Sequence, residues 1–313
     1  MNDLEENMQF YMAPMEGFTG YVFRNIYHKH FGDVDKYFTP FISGGGLSHK
    51  EINDMDPEHN KGMVVVPQIL TNKTEDFFNI AKILEDLGYT TVNLNLGCPS
   101  GTVVSKGRGA GFLAHPEELD AFLAEIFEKC PLKISIKTRL GLTDASEWTR
   151  LQEIYNKYPM DELIIHPRVR TDMYRNPINL EVFADAFSNS KVPVCYNGDI
   201  CNTADYERIT GMFPEVDRVM IGRGLFKNPG LIGEIKGGER ITTEKVRAFH
   251  NDILDWYTEI ISGDRNTLFK MKEIWSLMGD FFEDSEKQLK KIRKTNRLVE
   301  YRAAVNELFS MYK

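Results

Sequence analysis

The chain has 313 residues, 42% hydrophobic and 27% charged, with a net charge of −8 and four cysteines. That balance is ordinary for a soluble globular protein, and no run approaches the roughly 20 consecutive apolar residues of a membrane span. The acidic start MNDLEENMQF lacks both the basic beginning and the apolar run of a secretory signal. Cys98, Cys130, Cys195 and Cys201 have no CxxC spacing, so neither a metal cluster nor a disulfide framework is expected, and a reducing cytoplasm fits.

In chain order, short apolar and β-branched runs predict strands at FYMAP (10–14), KYFTPFI (36–42), MVVVPQI (63–69) and TTVNLNL (90–96). They continue at KISIKTR (133–139), ELIIHP (162–167), VPVCYNG (192–198) and RVMIG (218–222). Several are apolar nearly throughout, as parallel strands buried on both faces should be. The second is the weakest, because the FISGGGLS that ends it is rich enough in glycine to be loop. Helical periodicity lies between strands. TEDFFNIAKILEDLG places Phe77, Ile80, Ala81 and Leu84 on one face, with Thr74 as cap and Gly88 as stop. HPEELDAFLAEIFEKC repeats the pattern with Leu119, Phe122, Leu123 and Ile126, and Pro116 stands where a first-turn proline belongs.

Eight such strands alternating with helices predict an α/β fold, a closed (β/α)8 TIM barrel of parallel strands. A doubly wound open sheet is disfavoured, since no GxGxxG follows the first strand. From Thr242 the pattern is helical only, which predicts a barrel domain over 1–238 and a small helical domain over 239–313. Charge is uneven between them. From Arg265 to Lys313 there are eleven basic and seven acidic residues, and KQLKKIRKTNRLVEYR (287–302) holds seven basic residues and one acid. Such asymmetry points to a polyanion more than the total charge does. On a helix, Leu289, Ile292, Val299 and Ala303 would face inward, leaving Lys287, Lys290, Lys291, Lys294 and Arg297 outside.

Active sites of such barrels lie at the carboxyl ends of the strands. Polar residues gather at those ends: Gln68, Asn95 with Cys98, Lys137 with Arg139, His166 with Arg168, and the glycine turns YNGDI and IGRGLFKNP. Glycine turns at late strands, with Arg223 beside them, form a phosphate site. Lys137 lies inside an otherwise apolar strand and must face a ligand or a counter-charge, because burying it unpaired is costly. A flavin mononucleotide would use these features, as would several other phosphorylated ligands. Cys98, held between Gly97 and Pro99, is either a small buried hydrophobe or part of the site.

The motifs MAPMEGFTG (12–20), PQI (67–69), NLNLGCPSG (93–101), KGRGAGFL (106–113), IKTRLG (136–141), IIHPRVR (164–170), YNGDI (196–200) and IGRGLFKNP (221–229), in this order, resemble the tRNA-dihydrouridine synthases over nearly the whole chain. These are FMN-dependent enzymes that reduce uridine in tRNA, with NADPH as the electron donor the family suggests. The resemblance implies that Pro14, Met15, Glu16 and Gln68 line the flavin and that Lys137 and His166 contact its ring system. It assigns the ribityl-phosphate to Asn197, Gly198, Asp199, Gly222 and Arg223. Cys98 would be the acid that protonates carbon 5 of uracil, Asn95 would orient the base, and Arg139, Arg168 and Arg170 would stand near the RNA. The basic tail would meet RNA phosphates, and a monomer is expected. Two departures stand out, Pro167 where the family usually has glycine and the glycine-rich 42–48 segment. Rival readings are an FMN barrel acting on a small pyrimidine or enone, and an RNA-binding protein that keeps flavin only as structure.

Overall fold

The computed structural model describes residues 8–312, so most of the acidic start read above lies outside the described residues. Eight parallel strands close into a barrel in sequential order: β1 (Gln9–Met12), β2 (Lys36–Ser43), β3 (Val65–Leu70), β4 (Thr91–Leu96), β5 (Lys133–Gly141), β6 (Leu163–Val169), β7 (Val194–Tyr196) and β8 (Arg218–Ile221). Closure is made by β1 on β8, with Gln9 opposite Arg218 and Met12 opposite Ile221. The expected strands all form, and the uncertain second one runs on to Ser43 before the chain turns at Gly44 with φ 103°.

The helices are α1 (Tyr21–His30), α2 (His49–Met55), α3 (Thr74–Asp86), α4 (Gly101–Val104), α5 (Pro116–Lys129), α6 (Glu147–Tyr155) and α7 (Leu180–Asn189). They continue with α8 (Thr203–Met212), α9 (Gly224–Lys227), α10 (Leu231–Ile235), α11 (Thr243–Ile260), α12 (Asp264–Met278), α13 (Glu286–Lys294) and α14 (Leu298–Ser310). Thr74 is the first helical residue of α3 rather than its cap; Lys73 takes the cap position without a side-chain hydrogen bond.

Strand alternation sorts side chains into two cores. Tyr11, Phe38, Val66, Ile164, Cys195 and Met220 fill the barrel interior. Outward residues of the same strands meet the helices in a core that continues into α11, α12 and α14 without a break. The amino-terminal end of the barrel is closed by charge: buried Glu162 accepts from the Tyr11 hydroxyl at 2.9 Å and pairs with Lys36 at 3.1 Å and Arg218 at 3.4 Å.

The C-terminal helices pack back on the barrel. Phe249 of α11 meets the rings of Phe23 and Phe31 on and beside α1 at 5.6 and 5.2 Å. Lys270 of α12 reaches the Gly17 carbonyl at 3.3 Å, and Lys227 pairs with Asp280 at 2.7 Å. The basic tail is not one helix. It breaks at 295–297 between α13 and α14, which resets the helical phase. Ile292 is buried as expected, but Val299 and Ala303 are exposed, and Tyr301, Ala304, Val305 and Leu308 face inward instead.

Tyr301 organises this helical end. Its hydroxyl accepts from Trp275 Nε1 at 2.7 Å and lies 2.7 Å from His250 Nε2. Burial pushes the His250 pKa down to about 4, so the ring is neutral and its Nε2 accepts from the hydroxyl. Replacing Tyr301→Phe leaves both partners buried and unpaired, at a cost of about 1–3 kcal/mol. Urea unfolding should show that loss as a lower midpoint at unchanged slope.

Candidate active site

A cavity of about 390 Å3 opens at the carboxyl ends of the strands. Pro14, Met15, Glu16, Gln68, Asn95, Cys98, Lys137, Arg139, His166, Asn197, Gly198, Asp199, Gly222 and Arg223 all line it. These residues come from seven of the eight strands or the turns that follow them, so the closed register, not any local motif, assembles the site.

Its most tightly bonded part is the turn after β4. Asn95, the last residue but one of that strand, turns its carboxamide forward onto the chain: Oδ1 accepts from Gly97 N at 3.0 Å and Cys98 N at 2.9 Å. Its Nδ2 donates to Gln68 Oε1 at 2.8 Å, and Gln68 in turn donates to Asn93, which donates to Ser135. The carbonyls are held too. Arg139 Nε donates to Gly97 O at 3.0 Å, Ala110 N to Cys98 O at 3.1 Å, and Arg170 Nε to Pro99 O at 3.2 Å. The KGRGAGFL segment can lie this close because Gly109, at φ 55°, has no Cβ; one there would stand 3.0 Å from the Cys98 Cβ and carbonyl. Burial raises the Cys98 thiol pKa, and the Ser100 N–H, Arg139 and Lys137 pull it down without cancelling that effect. The thiol therefore keeps its proton at neutral pH.

Cations crowd the ends of β5, β6 and β8. The Lys137 ammonium finds no hydrogen-bond or ion-pair partner among the described residues; burial and then Arg139 push its pKa down to about 8. His166 is driven well below the usual imidazole range by burial and by Arg139, Lys137, Arg168 and Arg223 around it. Its Nε2 lies 3.1 Å from Arg168 Nη1, and a guanidinium only donates, so Nε2 accepts and the proton sits on Nδ1. Asp199 faces these groups from the β7 turn, in a left-handed conformation with φ 41°. It binds both guanidinium nitrogens of Arg168 and accepts from Arg223 Nη2 at 2.7 Å. Burial pushes its carboxyl upward, but the two arginines outweigh that and hold it below the usual range.

Glycines shape the late strand ends. A Cβ on Gly224 would fall 2.2 Å from the Ile200 carbonyl, and one on Gly222 would meet Ala13 Cβ and Met15 Sδ at 3.3 Å. The β7 and β8 turns thus pack against each other only because Gly224 is bare, and the bare Gly222 leaves room for the β1 turn.

Arg139, Arg168 and Arg170 all bond within the protein. Arg139 is buried, and besides Gly97 it bonds the carbonyls of Val169 and Met173, each at 3.0 Å. Arg168 is buried behind the cavity, and Arg170 braces the cysteine turn. Pro167 falls where the β5–β6 register shifts between Arg139 and Gly141, an irregularity that tolerates a residue without an N–H. Lys287, Lys290, Lys291, Lys294 and Arg297 are exposed and none lines the cavity; Lys291 pairs with Glu307. Five lining residues lie outside the motifs: Phe41 of β2, Tyr174 after β6, Cys201 after β7, Met220 of β8 and Leu277 of α12. Leu277 reads in sequence like any core leucine of a helix. Tyr174 left only the signal of an aromatic in a polar loop at a strand end.

The family model described as Dihydrouridine synthase (Dus) matches residues 11–311. Among curated relatives, the probable tRNA-dihydrouridine synthase 2 of Bacillus subtilis strain 168 is 30% identical over 232 residues, covering 70% of this chain and 70% of its own. The tRNA-dihydrouridine(16) synthase of Cupriavidus necator is 31% identical over 239 residues, covering 73% and 74%. Solved structures of similar shape include morphinone reductase in complex with tetrahydroNAD, at TM-score 0.50 and 13% identity over 74% of this chain and 88% of that one. Histamine dehydrogenase from Rhizobium sp. 4-9 superposes at TM-score 0.54 and 11% identity, over 85% of this chain and 49% of its own. The solved structures speak for the barrel alone, but the family match spans barrel and helical end together, and with the sequence relatives it establishes that the chain belongs to the dihydrouridine synthase family.

Proposed function

We propose that this protein reduces the C5=C6 bond of uracil in uridines of tRNA, giving 5,6-dihydrouridine, with FMN as cofactor and NADPH as electron donor. The observation that carries the reading is the pairing of a protonated, rigidly held Cys98 thiol with a cation-rich cavity beside it. The donor set suits a flavin mononucleotide. Lys137 has a free ammonium for an electron-rich ring edge, Gln68 and His166 offer polar groups nearby, and Arg223 stands among bare glycine turns where a phosphate monoester fits. Pro14, Met15 and Glu16 would wall one side, with Asn197, Gly198, Asp199 and Gly222 around the ribityl-phosphate. A flavin bound there supplies the two-electron reduction of the pyrimidine.

This chain's own part is binding, orientation and one proton. Asn95 keeps the Cys98 turn in place, so Sγ stands at a defined point of the cavity wall. From there the thiol gives its proton to carbon 5 while carbon 6 is reduced from the other face. A thiol kept protonated by burial suits an acid of this kind. The base must leave its stack to enter the cavity, as for other enzymes that work on a nucleobase. In this reading residues 1–238 carry the chemistry and residues 239–313 hold RNA in the cytoplasm, by a monomer. Arg139, Arg168 and Arg170 act mainly by bracing the site, and the exposed α13 lysines favour tRNA over a small pyrimidine or enone.

The test is anaerobic. With the bound flavin reduced by NADPH, unmodified tRNA should reoxidise it and the recovered tRNA should contain dihydrouridine. Cys98→Ala should keep the flavin spectrum while losing about 10²–10⁴-fold in the reoxidation rate. Reoxidation by free uracil or an enone, but not by tRNA, would favour the small-molecule reading.

The tail is tested by salt. Replacing Lys287, Lys290 and Lys294 together with Ala should weaken tRNA binding and flatten the slope of log K against log salt by about 2–3. An unchanged slope in filter binding would remove these lysines from the RNA surface.

The electrostatics make a separate prediction for the flavin-free protein. The folded lysine loses its proton near pH 8, whereas the unfolded one keeps it to about 10.5. Between those values the unfolded state binds more protons at this group, so stability rises with pH through that window. Lys137→Met should lack this rise when the two proteins are compared by urea unfolding at pH 7.5 and 9.5. Equal pH dependence in both would show that Lys137 is not depressed.

A further inference from the structure

The loop after β6 is tied from inside the site. Its first residues, Arg170–Asp172, make a 3-10 turn in which Asp172 accepts from Val169 N at 3.1 Å. Met173 follows at φ 53°, a conformation that costs energy for a residue with a side chain. Two arginines of the site hold the loop on either side of position 174: Arg139 Nη1 donates to Met173 O at 3.0 Å, and Arg168 Nε donates to Asn176 O at 2.6 Å. Backbone strain with bonds on both flanks fixes where the intervening side chain goes.

That side chain is Tyr174, 49% exposed at the cavity wall. Its ring stacks on His166 at 5.9 Å and 28°. The Arg223 guanidinium stands 4.6 Å from its ring centroid, and that of Arg139 stands 5.2 Å away. The two arginines are in different situations. Arg139 is already fixed by three backbone carbonyls. The Arg223 side chain is one-third exposed, and its guanidinium has a single hydrogen-bond partner among the described residues, Asp199 at 2.7 Å. A long side chain with one such tether keeps much rotamer freedom, and losing it on ligand binding weakens the binding. A carboxylate at one edge and an aromatic face against the plane together restrict the guanidinium, with its remaining donors unused.

We propose that Tyr174 is a positioning residue for Arg223: its ring holds the guanidinium toward the place of the cofactor's phosphate monoester, so it strengthens binding of FMN through the phosphate rather than through the flavin ring. This rests on the flavin reading above. The ring face attracts the cation and asks for no hydroxyl, so phenylalanine should serve as well.

Riboflavin, which has the same ring system and lacks the phosphate, separates the two routes. FMN and riboflavin are titrated into flavin-free full-length protein, following flavin fluorescence, for the natural chain, Tyr174→Leu and Tyr174→Phe. Tyr174→Leu should lose about three- to tenfold in FMN affinity and nothing in riboflavin affinity, and Tyr174→Phe should bind both as the natural chain does. In an Arg223→Gln background the Tyr174→Leu change should cost no further FMN affinity. Equal loss for both flavins would mean that the ring packs on the cofactor itself, and an undiminished FMN affinity would mean that Arg223 needs no such support; either overturns the proposal. A Tyr174→Leu cost that persists in the Arg223→Gln background does so too. If the natural chain binds neither flavin, the proposed function falls first and this inference with it, an outcome visible before any variant is made. Tyr174 is half exposed on a loop, and a thermal melt of each variant checks that the fold is kept.

Discussion

The turn Gly97–Cys98–Pro99 has no free backbone polar group. Asn95 takes its two N–H groups, and Arg139, Ala110 and Arg170 donate to its three carbonyls. The partners come from β4, β5, the end of β6 and the segment after α4, so the turn cannot shift without breaking bonds in several elements at once. A flexible loop would hold a cysteine near a substrate part of the time. This arrangement holds it in one place, as the proposed role of proton donor requires, since misplacement by about 1 Å can remove much of a catalytic contribution. Bare backbone at Gly109 is part of the same device, for only without a Cβ can the second segment close over the turn.

The two ends of the barrel treat charge in opposite ways. At the amino-terminal end, Glu162 lies between Lys36 and Arg218, and the network is compensated within the protein. At the carboxyl-terminal end, Lys137, Arg139, Arg168 and Arg223 face Asp199, whose carboxylate is already engaged by two of them. Burying cations beyond their counter-charges costs stability, and proteins tolerate that at sites where a ligand brings the missing charge. Burial first, and then that imbalance, depresses Lys137 and His166. A bound anion would relieve it.

The C-terminal helices contribute to the cavity as well as to the surface. Leu277 of α12 reaches the cavity wall, and Lys270, a few residues earlier on the same helix, bonds the turn after β1. The core is continuous through this junction, with Phe249 packed among the rings of α1. The outer helices α13 and α14 are therefore registered against the cavity through packed elements rather than across a linker.

Much of this was legible in the sequence because the signals are local. Apolar runs of strand length, helical spacing between them, and glycine or proline at strand ends depend on neighbours a few residues away, and they located all eight strands. Lys137 and the glycine turns stood out for the same reason, each out of place in its own segment. Other features depend on residues distant in the chain. Three arginines that look alike in sequence became braces because barrel register set particular carbonyls within reach of Arg139 and Arg170 and set Asp199 beside Arg168. Tyr174 joined the site through a strained loop held by two of those arginines, and the inward face of the tail changed because a break at 295–297 reset its phase. Periodicity reports which side of an element is buried; which partner a polar side chain meets there is decided only when the strands close.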